Sequence, residues 1–197
     1  SLVTFLATQE SKAYQACLQA DAMFLMRFFP ICITMGVMSN IQVGIMMGSK
    51  SDLDIMEGVK KVLDEFGITS ELRVLSAHRT PKEACAYAEN AKANGMKIII
   101  AGAGGSAHLA GVVTAHTTLP VISIPVKRDN HGHEALWSNI ALPPGIPVAT
   151  MPENGHKNAA LLAVEILALS DPEIAKKYDE FRAKQSAKVL EDDASLR

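Results

Sequence analysis

From Ile41 onward the chain alternates short apolar runs with stretches whose apolar residues recur every three or four positions, and Gly, Ser or Pro marks each junction. The runs predict strands at Ile41–Met47, Glu71–Leu75, Lys97–Ala101, Val121–Pro125 and Val148–Met151. Several are apolar throughout, as strands covered on both faces of a parallel sheet are. Between the first two strands, Leu53, Met56, Val59, Leu63 and Phe66 form one stripe of a helix over 52–66, which Gly67 ends. Thr80, Pro81 and Glu83 read as the N-cap, first helical position and capping-box partner of a second helix. An Ala- and Leu-rich helix follows over 158–169, and Pro172 opens a last helix to about Val189, with Ile174, Tyr178 and Phe181 as a partial stripe that leaves it free to project. The βαβα order predicts an α/β fold with one parallel sheet.

Residues 1–40 do not share this pattern. The apolar run Met23–Val37 is broken by Arg27 and Pro30, is shorter than the ~20 residues that span a bilayer, and has no basic segment ahead of it. We expect residues 1–40 to lie outside the fold, a single catalytic domain over 41–190, and a tail over 191–197.

Composition narrows the function classes. The 197 residues carry 19 Lys+Arg and 21 Asp+Glu, a formal charge of -2, so no single-sign field draws the chain to nucleic acid or to an anionic membrane. At 48% hydrophobic residues it can bury a full core, and with 5% aromatic it has little for base stacking. Three cysteines without CxxC spacing indicate neither a disulfide framework nor a zinc site and fit a reducing cytoplasm.

The candidate chemistry lies in three loops, each directly after a strand. In an open parallel sheet the carboxyl ends of the strands share one edge, and ligands bind where the strand order reverses. Gly48-Ser-Lys-Ser-Asp52 offers a sharp turn at Gly48, a capping hydroxyl from Ser49 or Ser51, amides for a phosphate, and a carboxylate for ribose hydroxyls. Capping alone accounts for one serine, not for two with Lys50 and Asp52. In Ser76-Ala-His-Arg-Thr-Pro81, after Ser76 and Ala77, His78 is either a proton-exchanging imidazole or a side chain satisfying loop carbonyls. Arg79 beside it is either a surface charge or a phosphate fork. Gly102-Ala-Gly-Gly-Ser-Ala-His108 lets a backbone approach a small or flat ligand closely, with amides for an anion from Ala103, Gly104, Gly105 and Ser106. Its spacing is not the dinucleotide GxGxxG, which disfavours a nicotinamide enzyme. His108, before Leu109, either lines the crevice or caps its own helix, and His116 is expected to pack within the fold. His131 and His133 alternate without a nearby third ligand and indicate no metal.

With these residues in view, the sequence resembles the PurE family of purine biosynthesis, the N5-carboxyaminoimidazole ribonucleotide mutases of bacterial type. The resemblance rests on Val43–Asp52, Ser76–Pro81, Ala101–Leu109, Leu119–Val126 and Asn158–Ala163, five collinear motifs spanning about 41–170. It implies a flavodoxin-like, doubly wound three-layer α/β/α fold, a cytoplasmic homo-octamer with active sites at subunit junctions, no metal or organic cofactor, and a functional link to a carbamate-forming synthetase. Carried over, Ser49 and Asp52 bind the ribonucleotide, with Gly48, Ser51, Ser76 and Ala77 around them. Arg79 takes the phosphate, His78 carries the proton, and the loop from Gly102 to His108 with Leu109 forms the carboxylate pocket.

The chain also departs from that pattern. Ala110 stands where the mutases have Pro, and Trp137-Ser138 with the short connection Thr150–His156 look more like the animal-type branch, which carboxylates aminoimidazole ribonucleotide directly. Arg79 and Gly102–Gly105 favour the mutase. A non-catalytic ribonucleotide-phosphate sensor on the same fold is the reading of another class, since it needs the phosphate loop but makes no use of His78.

Overall fold

The computed structural model describes residues 41–128 and 132–197; the expectation for residues 1–40 and the His131 half of the histidine pair lie outside them. Five strands, β1 (Val43–Met47), β2 (Ser70–Val74), β3 (Ile98–Gly104), β4 (Val121–Val126) and β5 (Ala149–Thr150), pair in parallel in the order β2-β1-β3-β4-β5. The order reverses between β1 and β3, so the crevice at the carboxyl edge opens above this pair. The fold is the flavodoxin-like three-layer α/β/α arrangement.

Side-chain alternation along the strands builds two cores. Val43, Ile45 and Met47 with Ile98, Ile100, Ile122 and Ile124 face one layer, where they meet α1 (Leu53–Glu65) and α5 (His156–Ala168). Met46, Ile99, Ala101 and Val121 face the other, packing on α2 (Pro81–Ala91) and α3 (Leu109–Ala115). Met56, Val59 and Leu63 are fully buried, while Leu53 at the head of the stripe is only partly so. A short helix, α4 (Glu134–Ile140), fills the β4–β5 connection and lies in a segment that carried no helical signal in the sequence. The last helix, α6 (Pro172–Ser195), is capped by Asp171, whose carboxylate accepts from the amides of Glu173 and Ile174, a cap worth about 1 kcal/mol. Ile174, Tyr178 and Phe181 pack on Phe66 and α5, and every residue after Phe181 is exposed, so the helix projects beyond its anchored start.

Three local expectations need correction. Thr80 precedes α2 but makes no cap bond; its Oγ1 accepts from the Ser76 amide at 2.8 Å and donates to the Ser76 carbonyl at 3.2 Å, closing the loop instead of a capping box with Glu83. Strand β3 runs three residues further than the expected Ala101, through Gly102-Ala103-Gly104, because that segment still pairs with Ile124, Pro125 and Val126. His116 is not packed inside: half-exposed at the end of α3, its Nδ1 lies 2.8 Å from a Glu89 carboxylate oxygen.

Candidate active site

The three loops converge at the β1/β3 edge on one cleft of about 420 Å³. In the first loop Ser49 caps a 3-10 turn, Lys50–Asp52, that leads into α1, and its hydroxyl accepts from the Ser51 amide. The Ser51 hydroxyl donates to Ser49 Oγ at 2.9 Å, so the two hydroxyls form one cluster at the helix entrance. Gly48 and Asp52 complete this wall. Gly48 does not supply a left-handed turn: glycines with positive φ are at 67, 95, 105 and 145, and a Cβ on Gly48 would meet only Ala103 at 3.9 Å. Packing does demand glycine at position 102, where a Cβ would overlap the Met56 thioether of α1.

The second wall is Ser76-Ala77-His78-Arg79. Ser76 Oγ accepts from the Arg79 amide at 3.2 Å, and Arg79 Nη2 donates to the Gly48 carbonyl at 2.6 Å, tying this wall to the first. On the third wall Ala103, Gly104, Ser106, His108 and Leu109 line the cleft, whereas Gly105, at φ 65, turns the chain without lining it. Two amides of this loop are engaged within the protein: Ala107 donates to Ser138 Oγ of α4 at 3.1 Å and His108 to the Ser106 carbonyl at 2.8 Å. His78 and His108 meet across the cleft, Nε2 to Nδ1, at 2.9 Å with the rings perpendicular.

Arg128, just past β4, is a cleft residue that sequence reasoning missed. It sits in the charged run Lys127-Arg128-Asp129, which reads as solvated surface. The available signal was position, since it follows a strand at the same edge as the other loops. Its Nη2 donates to Ser51 Oγ at 3.0 Å and forms a close ion pair with Asp52, which is 2% exposed. Burial pushes the Asp52 carboxyl up from its ordinary range, against the opposing pull of Arg128, the Ser51 hydroxyl and Arg79.

His133 pairs with Glu153 at 3.0 Å, and among the described residues no group of three or more His, Cys, Asp or Glu is arranged to hold a metal ion. No described helix is long and apolar enough to cross a membrane.

The family model described as AIR carboxylase matches residues 42–188. The chain belongs to the AIR carboxylase family. It is 48% identical over 151 residues, 76% of this chain and 88% of the relative, to the N5-carboxyaminoimidazole ribonucleotide mutase of Thermotoga maritima. The Pyrococcus abyssi protein of the same name is 51% identical over 142 residues, 72% of this chain and 82% of the relative. The crystal structure of Treponema denticola PurE superposes with a TM-score of 0.74 at 34% identity, covering 79% of this chain and 98% of that one. Strand order and family membership therefore agree.

Proposed function

We propose that the protein is an N5-carboxyaminoimidazole ribonucleotide mutase of purine biosynthesis, moving a carboxyl group from the exocyclic nitrogen of the ribonucleotide to carbon 4 of its imidazole. The observation that carries this reading is the His78–His108 pair facing the Ser49–Asp52 wall across one cleft, in a chain about half identical to proteins of that name.

In this reading the serine cluster and Asp52 hold the ribose phosphate end, and Arg79 supplies a fixed cation. His78 donates a proton to the carbamate nitrogen. The N–C bond breaks and leaves aminoimidazole ribonucleotide and carbon dioxide. Amides of the third loop keep the carbon dioxide beside carbon 4, which attacks it to form the new C–C bond. His78, now lacking its proton, removes the one displaced from carbon 4, so the enzyme returns to its starting protonation state without an outside acid or base.

The same reading brings a cytoplasmic homo-octamer supplied with substrate by a carbamate-forming synthetase. Exposed Trp137 and Ile140 on α4, beside the groove of Leu142, Pro143, Pro144 and Ile146, give such an assembly an apolar surface to bury.

Incubation of the purified protein with the carbamate ribonucleotide, with and without excess bicarbonate, tests the reaction. Carboxyaminoimidazole ribonucleotide should form at the same rate in both. Turnover of aminoimidazole ribonucleotide alone, and only with bicarbonate, would make the protein a direct carboxylase; binding without turnover would make it a sensor.

A further inference from the structure

We propose that Arg128 is a second phosphate ligand of this cleft, set against the opposite end of the first loop from Arg79; the inference rests on the ribonucleotide reading above. Arg79 donates to the carbonyl of Gly48, where the loop begins, and Arg128 donates to the hydroxyl of Ser51 and pairs with Asp52, where it ends. The Ser49–Ser51 hydroxyl cluster runs along the loop from the Arg79 end to Ser51, whose hydroxyl Arg128 already holds. A dianion on that cluster is bracketed by guanidinium groups, each of which already holds a fixed position through a bond to the loop itself.

Two features hold Arg128 in place. The Lys127 amide donates to Asn154 Oδ1 at 3.0 Å, and the Asn154 amide donates to the Pro125 carbonyl at 2.9 Å, so the backbone entering Arg128 is pinned from both sides by one residue of the β5–α5 connection. The side chain then crosses Gly104, where a Cβ would come within 2.6 Å of Nε and 2.9 Å of the Val126 carbonyl oxygen.

Chemistry favours a role beyond balancing Asp52. The bonds Arg128 makes among the described residues run through Nη2, which leaves the Nη1 and Nε hydrogens of a five-donor group for a ligand. With one carboxylate and two guanidinium groups at this wall, Arg128 offsets Asp52 and leaves the charge of Arg79 in excess, as an anionic ligand requires. In the sheet, Arg128 follows β4 and the first loop follows β1, so a ligand touching both crosses the β1/β3 edge where the strand order reverses.

The test pairs removal of the guanidinium with removal of the phosphate. Binding of aminoimidazole ribonucleotide and its dephosphorylated riboside, and of ribose 5-phosphate and ribose, is measured by calorimetry on the wild-type protein, R128Q and R128K. R128Q should weaken the phosphorylated ligands by about 10- to 100-fold, the range for a hydrogen bond to a charged group, and leave the others within about twofold; R128K should fall between. Because R128Q leaves a buried carboxylate unpaired, the comparison is repeated as D52N against D52N/R128Q, in which no such carboxylate remains. Equal loss for phosphorylated and dephosphorylated ligands, or no loss of phosphorylated ligand once Asp52 is gone, overturns the proposal and makes Arg128 only the counter-ion of Asp52. The two readings fail separately. A protein that binds ribose 5-phosphate through Arg128 but does not turn over the carbamate ribonucleotide keeps this inference and loses the mutase, whereas failure to bind either phosphorylated ligand overturns both.

Discussion

His78 Nε2 and His108 Nδ1 lie 2.9 Å apart with their rings at 90°, so the two imidazoles share one hydrogen across the cleft. One ring donates and the other accepts, so Nε2 of His78 is occupied by this bond and the ring's other nitrogen is the one that exchanges a proton with a ligand. His108 is thereby placed to hold His78 in the orientation its chemistry uses.

Replacing His78 with Asn should therefore lower kcat by about 10²–10⁴-fold, or more, since the group is used twice per turnover. Ribonucleotide affinity and melting temperature should stay near wild type, because His78 is exposed. His108→Asn keeps a polar partner and should lose less. A His78 variant retaining more than about a tenth of the rate, beside a dead His108 variant, would move the acid–base role to His108.

Two glycines at the carboxyl edge of the sheet should respond oppositely to alanine. At Gly102 the added methyl overlaps the buried Met56 thioether, so Gly102→Ala should destabilise the fold by about 1–3 kcal/mol in urea denaturation. At Gly48 the methyl finds ordinary contact with Ala103, so Gly48→Ala should leave stability within about 0.5 kcal/mol and show its effect as a raised KM, because the residue lines the cleft.

The sheet and the three loops were legible in the sequence because their signals are local: uninterrupted apolar runs such as Ile98–Ala101, and breaks at Gly48, Ser76 and Gly102. What escaped depends on partners far along the chain. Gly102-Ala103-Gly104 looks like a loop, but pairing with β4 makes it strand, and the glycines read as room for a ligand answer also to Met56 and Arg128 lying across them. Thr80 has every mark of a cap, yet its hydroxyl is held by Ser76. Arg128 follows a strand at the same edge as the loops, but its direction into the cleft depends on Asn154, which holds the chain leaving β4 from 27 residues away.

Burial raises the Asp52 carboxyl above its ordinary 3.8, so just above that pH the folded protein holds a proton that the unfolded chain has lost. Stability contributed by this group is present at lower pH and declines as pH rises through the raised value. Asp52→Asn, which carries no charge at any pH, should accordingly gain in urea midpoint relative to wild type as pH rises above 3.8, and match it most closely at the acid end. An advantage that shrinks as pH rises would contradict the direction assigned to Asp52.

Trp137 is 63% exposed on α4, and the same helix fixes the third loop through Ser138 and Ala107. If subunits meet on this face, Trp137→Asp should reduce the mass seen by light scattering from several times 21.1 kDa toward that value, and activity should fall with it because the third loop loses its outer support. A wild-type protein that is monomeric and fully active at micromolar concentration would refute the assembly.

The extension of β3 to Gly104 divides the cleft by rigidity. Its floor is sheet backbone, opened only when the β1–β3–β4 ladder opens, so amides of Ile100 to Gly102 should exchange with deuterium at rates set by global unfolding. The walls hang on side-chain bonds from Arg79, His78 and Arg128, which can break and reform without disturbing the sheet. Adjustment to a ligand therefore belongs to the walls, and a ligand that fits the floor poorly is rejected by a surface that cannot yield to it.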